Sequence, residues 1–206
     1  MAKLKAPLLS LGASGKLADS LVFMHWKGID DVREYVIPTN PKTGKQTVQR
    51  NNFKECVEAI HTAQALEVKP LGPTDITAYS QWGLIEKTPR TWFNQIIMSW
   101  RNQYVLGLKG VIYRGGTTTP GDQTLSVEVS FTEEGANTIT AGKFWLGKTR
   151  TALITSADAS ITLDHRASAT LTGLTNGQKY YIQFRPTAHA DFVGAYSGIY
   201  TGTPHA

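Results

Sequence analysis

The sequence predicts an α+β N-terminal domain over residues 1–109, a β-hairpin plus about three helices, followed by an all-β sandwich over residues 110–206. Apolar residues of the first half recur mainly at three- and four-residue intervals, which is typical of helices, whereas those of the second half alternate. Glycine or Asn-Gly turn signals also punctuate the second half about every ten residues. Charge separates the halves as well, because residues 1–109 hold 14 Lys and Arg against 9 Asp and Glu, and residues 110–206 hold 7 against 7.

Composition is that of an ordinary globular protein, with hydrophobic residues at 41% of 206 positions. The single cysteine, Cys56, excludes a disulfide within the chain and leaves any metal site to histidines and carboxylates. No apolar run reaches the roughly 18 residues of a membrane span. The first residues lack the apolar core of a secretory signal, so none is expected.

The first half is expected to begin with the hairpin. Two runs rich in β-branched and aromatic residues, 20–26 and 31–37, are separated by a short connection that contains glycine. Pro38 should end the second strand, because proline cannot donate a hydrogen bond to a sheet.

Three helices should follow the hairpin. Thr43 and Gln46 have the spacing of a capping box, which predicts a helix to about residue 66. Thr74 and Asp75 can cap a second helix, and Thr88-Pro89 repeats the capping signal for a third. The first helix should bury a stripe of residues at three- and four-residue intervals: Phe53, Cys56, Val57, Ile60 and Ala63.

The second half should form antiparallel strands with one buried face each. Residues 125, 127, 129 and 131 are all apolar, as are residues 180, 182 and 184. Because successive side chains of a strand point to opposite faces, each set should face the core.

The stretch from Leu171 to Phe184 resembles the E–F corner of a fibronectin type III or closely similar immunoglobulin-like domain, with a leucine, a glycine turn and then Tyr180. The resemblance implies that Tyr180 is the corner tyrosine, whose hydroxyl bonds to the preceding backbone. Residues 194–197 and 201–204 are similar to the last strand and exit of that family. Such domains serve as spacers or as recognition modules.

Residues 12–104 contain several short motifs: Gly15-Lys16-Leu17, Trp26-Lys27-Gly28, Val32-Arg33, and Asn-Pro-x-Thr at residues 40–43 with its downstream Gln and Arg. In these residues the region resembles a domain that recurs in predicted bacteriophage structural proteins and prophage-derived genes. The resemblance implies a component of the virion without catalytic residues and without a cofactor.

The polar segment from residue 40 to residue 50 should be exposed at a helix start. Its side chains are then candidates for contacts with a neighbouring chain in an assembly, or they form a solvated, capped helix end. The candidate assembly residues are Arg33, Asn40, Gln46, Gln49 and Arg50.

Residues 142–149 match the phosphate-binding expression G-x-x-x-x-G-K-[ST], but their context does not. The four middle residues are Lys-Phe-Trp-Leu, which favour a strand, and no helical stripe follows to bring a helix N-terminus to a phosphate. The five histidines show no metal-ligand spacing, and no serine lies in a nucleophile elbow. We therefore expect no catalytic, cofactor or metal site, and we interpret the motif as a strand with its turn.

The resemblance to phage structural proteins implies a non-enzymatic virion protein that decorates a capsid or accompanies a tail or fibre, with residues 1–109 anchoring it to the particle and the sandwich exposed. Capsid or tail proteins are the expected partners, with several copies per particle. The first alternative is a carbohydrate- or cell-surface-binding module in which Tyr196 and Tyr200 stack on sugars; the other interpretation of these two tyrosines is that they are packed strand residues. A second alternative is nucleic-acid binding by the basic half. Its positive residues are scattered, however, so neither nucleic acid nor a membrane is among the expected partners.

Overall fold

The computed structural model divides the chain into two compact units, residues 1–44 and residues 45–206. We describe each unit by itself. The structure describes residues 3–4, 13–17, 20–27, 29–37, 39–40, 42–135, 138–188 and 190–206.

The first unit is a four-stranded antiparallel sheet in chain order. The predicted hairpin is confirmed as β3 and β4, and β1 and β2 extend the sheet beyond it. Strand β4 ends at Glu34 rather than at residue 37, because its partner strand begins at Leu21, which lies opposite Glu34. Pro38 lies outside the described residues. The strands are β1 (Lys3–Leu4), β2 (Ala13–Leu17), β3 (Leu21–Trp26) and β4 (Ile29–Glu34).

The three predicted helices are confirmed as α1 (Gly44–Ala65), α2 (Pro73–Gly83) and α3 (Trp92–Val105). The predicted cap of α2 is confirmed in part, because Asp75 accepts a hydrogen bond from the N-cap amide of Gly72, whereas Thr74 is not the N-cap; the predicted Thr88 cap of α3 is wrong. Helix α2 has Gly72 at its N-cap and Asp75 in its first turn, and α3 is capped by Thr91, whose Oγ1 accepts a bond from the Asn94 amide. Helix α2 begins with a proline, Pro73, directly after its N-cap. Helix α3 begins directly after Thr91, whose side chain satisfies a first-turn amide.

The buried face of α1 differs from the predicted stripe at Phe53, and Val57 of that stripe is half-buried. Cys56, Ile60 and Ala63 are buried as expected, but Asn52 is buried in place of Phe53, which is 52% exposed. Both residues lie one turn before Cys56, so spacing alone does not distinguish them. Burial raises the pKa of the Cys56 thiol to about 12, in agreement with an inert core cysteine.

The second unit also contains two four-stranded antiparallel sheets. One has the order β5 (Val111–Gly121), β6 (Thr124–Glu133), β10 (Arg166–Leu171), β9 (Ser160–Thr162). The other has the order β12 (Tyr200–Gly202), β11 (Tyr180–Pro186), β7 (Gly142–Gly147), β8 (Thr155–Asp158).

Alternating side chains of the two sheets meet in one core. The predicted alternation is confirmed, since residues 125, 127, 129 and 131 of β6 and residues 180, 182 and 184 of β11 are all buried. The rings of Phe131 and Phe184, one from each sheet, stack with centroids 6.3 Å apart, and Tyr113 packs edge-on against both. Aromatic packing therefore joins the two sheets.

The predicted boundary between residues 109 and 110 falls inside the second unit, because the helices pack directly on the strands. The Tyr79 hydroxyl accepts a hydrogen bond from the Tyr113 amide at 3.0 Å, and the Ile199 amide donates to the Ala78 carbonyl at 2.9 Å. A Cβ at Gly110 would overlap the Trp100 ring. The change in net charge at residue 110 therefore does not coincide with the division between the two compact units.

A buried carboxylate connects helix α2 to both sheets. Asp75 is 1% exposed, and its Oδ2 accepts hydrogen bonds from the Gly72 and Gly115 amides at 3.0 and 2.9 Å. Its Oδ1 accepts bonds from the Gly116 amide at 2.9 Å and from the Tyr200 hydroxyl at 2.8 Å. We call Asp75 and these four donors the Asp75 node.

An irregularity in β5 supplies two of the donors. The register between β5 and β6 shifts between Arg114 and Thr117, which leaves the Gly115 and Gly116 amides outside the regular ladder. Gly115 has a φ of 58°, and a Cβ at Gly116 would overlap the Tyr200 ring. Glycine is therefore needed at both positions for the backbone to reach the carboxylate.

We expect Asp75→Asn to lower the free energy of unfolding by about 2–4 kcal/mol, because an amide offers one acceptor oxygen and turns its NH₂ group toward backbone donors. Urea unfolding followed by tryptophan fluorescence measures the loss. Asp164→Asn, the same change at an exposed carboxylate, should cost less than about 0.5 kcal/mol. Equal stability of the two variants would contradict the role assigned to the node.

Alkaline pH should unfold the protein before its core tyrosines ionise. Burial raises the pKa of Tyr79, Tyr113 and Tyr200 above the ordinary value, and nearby Asp75 raises that of Tyr200 further. Because the unfolded chain loses these protons near pH 10 and the folded chain retains them, the free energy of unfolding should fall as pH rises above about 10.

Phenolate absorbance recorded together with circular dichroism tests this expectation. Three of the eight tyrosines should ionise only as ellipticity is lost, and Tyr200→Phe should reduce that number to two. Ionisation of all eight while the ellipticity remains native would show that these side chains are not buried.

Candidate functional site

The predicted assembly residues fall in both units. Arg33 of β4 and Asn40 are exposed in the first unit, and Gln46, Gln49 and Arg50 are exposed on the first turns of α1 in the second. The three helical residues lie three and four positions apart, so they share one helix face. They form a polar, solvent-facing cluster, as predicted for the segment.

The first unit exposes large apolar side chains. Among the residues of this unit whose exposure the structure describes, Phe23 is the one large apolar residue that is buried. Val32 lies directly opposite Phe23 in the register and is 49% exposed, and Leu21 is also exposed. Val36 and Ile37, which follow β4, are 66% and 72% exposed. We call Leu21, Val32, Val36 and Ile37 the apolar strip. Exposed apolar side chains grouped in this way are typical of interaction surfaces.

The two tyrosines predicted to bind sugars have different environments. The prediction that Tyr200 is exposed is wrong, because Tyr200 is 3% exposed and its hydroxyl donates a hydrogen bond to Asp75. It pairs in register with Ile182, a core residue, and cross-strand partners point to the same face. Tyr196 is half-buried and accessible at the surface.

Tyr196 belongs to an aromatic and cationic stack that sequence reasoning missed. The Arg185 guanidinium carbon lies over the Tyr196 ring, 4.9 Å from its centroid, and over the Trp145 ring, 5.2 Å from its centroid. We call Trp145, Arg185 and Tyr196 the arginine ladder. Alternation along β11 provides a signal for it, since Phe184 faces the core and Arg185 must therefore point outward.

Trp145 comes from the segment with the phosphate-binding expression. That segment is β7 and it pairs with β11 on one side and β8 on the other, which confirms the interpretation of residues 142–147 as a strand. Phe144 and Leu146 face the core, so Trp145 between them lies on the outer face. The motif contributes an aromatic side chain to the ladder and no phosphate cradle.

Hydrogen bonds orient the guanidinium of the ladder. Arg185 Nε donates to Gln183 Oε1 at 3.1 Å, and Gln183 Nε2 donates to the Ser197 carbonyl at 2.9 Å. Because Ile182 and Phe184 face the core, the Gln183 side chain points to the outer face of the sheet. It is nevertheless only 3% exposed. Within the described part of the chain, the two terminal nitrogens of Arg185 have no hydrogen-bond or ion-pair partner.

The surroundings of the ladder carry an excess of positive charge. Lys143 lies beside Arg185 in the register and pairs with Asp158 at 3.1 Å. Lys179 lies 5.6 Å from the ring of Tyr181, a residue of the same outer face. The guanidinium therefore retains its positive potential at the surface.

Among the described residues, no group of three or more His, Cys, Asp or Glu is arranged to hold a metal ion. No helix in the described part of the chain is both long and apolar enough for a membrane crossing.

Comparison with family models, with curated proteins and with solved structures finds no match to this chain.

Replacing Gln183 should leave the Arg185 side chain less restricted, because it removes the hydrogen bond from Arg185 Nε. In Gln183→Leu, Arg185 Nε and the Ser197 carbonyl both lose their partner, and we expect the free energy of unfolding to fall by about 1–3 kcal/mol. The Arg185 Nε–H resonance should also exchange faster with water. Gln178→Leu is the matched control, because within the described residues the Gln178 side chain hydrogen-bonds only to the neighbouring Lys179 carbonyl. Unchanged exchange in Gln183→Leu would contradict the positioning role.

Proposed function

We propose that this chain is a non-enzymatic structural protein of a bacteriophage particle, where it decorates the capsid or accompanies the tail or its fibres. The observation that carries the proposal is the apolar strip of the first unit. Among the side chains that the structure describes in this four-stranded sheet and the residues after it, one large apolar residue is buried and the four of the apolar strip are exposed. Apolar side chains exposed on a small domain are commonly covered by association with a partner. The resemblance of residues 12–104 to phage structural proteins supports the same proposal.

The first unit is then the assembly element. Other copies of the chain, or neighbouring capsid or tail proteins, cover the apolar strip in the particle, and burial of its side chains stabilises the contact. Arg33 and Asn40, and separately the cluster of Gln46, Gln49 and Arg50, provide polar contacts at the rim of such interfaces. The location of the protein is the virion.

The second unit is proposed to contain an immunoglobulin-like or fibronectin type III sandwich. The orders β5-β6-β10-β9 and β12-β11-β7-β8 correspond to strands A-B-E-D and G-F-C-C′ of that architecture. The Tyr180 hydroxyl accepts a hydrogen bond from the Thr175 amide at 3.1 Å, as expected of a corner tyrosine before strand F. This domain is exposed on the particle.

A carbohydrate- or cell-surface-binding role is the second candidate, and the arginine ladder favours it. Nucleic-acid binding has less support. Trp100 is buried, and Trp82 and Trp92 pack against the core, so these tryptophans are not offered as surfaces for base stacking.

Binding to particles tests the assembly role. Empty particles from a phage lacking the gene for this chain are mixed with the purified full-length protein, and the bound fraction is measured by cosedimentation. We expect saturable binding that is weakened at least about tenfold by Val32→Lys/Val36→Lys, because each change places a charge in a buried apolar contact.

The control is Val68→Lys/Val105→Lys, which makes the same changes at two exposed valines of the second unit. This variant should bind as the unaltered protein does. Absence of saturable binding, or an equal loss in both variants, would contradict the proposed function. Full-length variants are required because a cut at residue 110 would divide the second unit.

A further inference from the structure

We infer that the arginine ladder binds the carboxylate of an acidic polysaccharide. The inference does not depend on a role in the particle, because it concerns the outer face of the sheet formed by β7 and β11. It deepens the carbohydrate alternative by naming the group that is recognised and the residue that recognises it.

The terminal nitrogens of the Arg185 guanidinium are suited to bind a carboxylate. A carboxylate accepts two parallel hydrogen bonds from an arginine, and the terminal nitrogens of Arg185 have no partner within the described residues. The bond from Nε to Gln183 and the two flanking rings already restrict the side chain. Binding therefore costs less conformational entropy than it does for a free surface arginine.

Two aromatic side chains lie beside the guanidinium. Trp145 and Tyr196 are half-buried, so each residue keeps some accessible surface. The C–H faces of a sugar ring pack well against aromatic side chains, and a uronic acid places its carboxylate next to such a face. One guanidinium between two rings thus offers both contacts that an acidic sugar needs.

The interior position of β7 and β11 in their sheet favours a polysaccharide over a peptide. Peptides that bind to sheets commonly add a strand to a free edge. Strands β7 and β11 are interior strands, each hydrogen-bonded on both sides, so they present side chains and no free backbone. A polysaccharide has no peptide amides that require backbone partners.

Local charge agrees with an anionic ligand. Lys143, Lys179 and Arg185 lie on or beside this face, and Asp158 pairs with Lys143. The face therefore has more positive than negative groups, and this excess attracts a polyanion at low salt.

Calorimetric titration of the full-length chain with a trimer of galacturonic acid tests the inference. We expect saturable binding, and the methyl ester of the same trimer should bind at least about tenfold more weakly, because its carboxylates are masked. Arg185→Lys, which keeps the charge and removes the planar fork, should also weaken binding about tenfold.

Arg101→Lys, the same change at an exposed arginine of α3, is the matched control and should leave binding unchanged. Circular dichroism verifies that each variant is folded. The inference is overturned if the trimer does not bind, if the ester binds equally well, or if Arg185→Lys and Arg101→Lys have equal effects. Tighter binding of a triglutamate peptide would also overturn it, in favour of a protein partner.

Discussion

The carboxylate of Asp75 is the interaction on which the second unit depends. It lies in the first turn of α2 and accepts bonds from the α2 N-cap, from two glycine amides of β5 and from Tyr200 of β12. A buried carboxylate is costly unless donors surround it, and here four donors do so. One side chain thereby fixes the helix against the edge strands of two different sheets.

The Asp75 hydrogen bonds also affect which surfaces of the second unit are accessible to partners. With the helices fixed to the strands, the second unit has a continuous aromatic core, and the outer face of one sheet is free to display the arginine ladder. The first unit differs, since the side chains described in it include the exposed apolar strip and one buried large apolar residue, Phe23. Our proposals place assembly in the first unit and surface recognition in the second.

Local patterns predicted much of the fold, including three helices and the alternating faces of β6 and β11. They failed where the structure depends on distant contacts. Asp75 was interpreted as part of a helix cap, but two of its donors come from residues 40 and 41 positions away. The arginine ladder was missed because Trp145, Arg185 and Tyr196 meet only once strand register is known. Tyr200 was predicted to be exposed because the sequence does not reveal which face of β12 is covered.

Hydrogen exchange of the full-length chain tests the central claim most directly, namely that helices and sheets of residues 45–206 form one unit held by the Asp75 node. The account predicts that the Gly115 and Gly116 amides and the amides of α2 exchange as slowly as those of β6 and β11, through the same global unfolding. Exchange of α2 and α3 well before the strands would contradict it, because the helices would then unfold separately from the sheets.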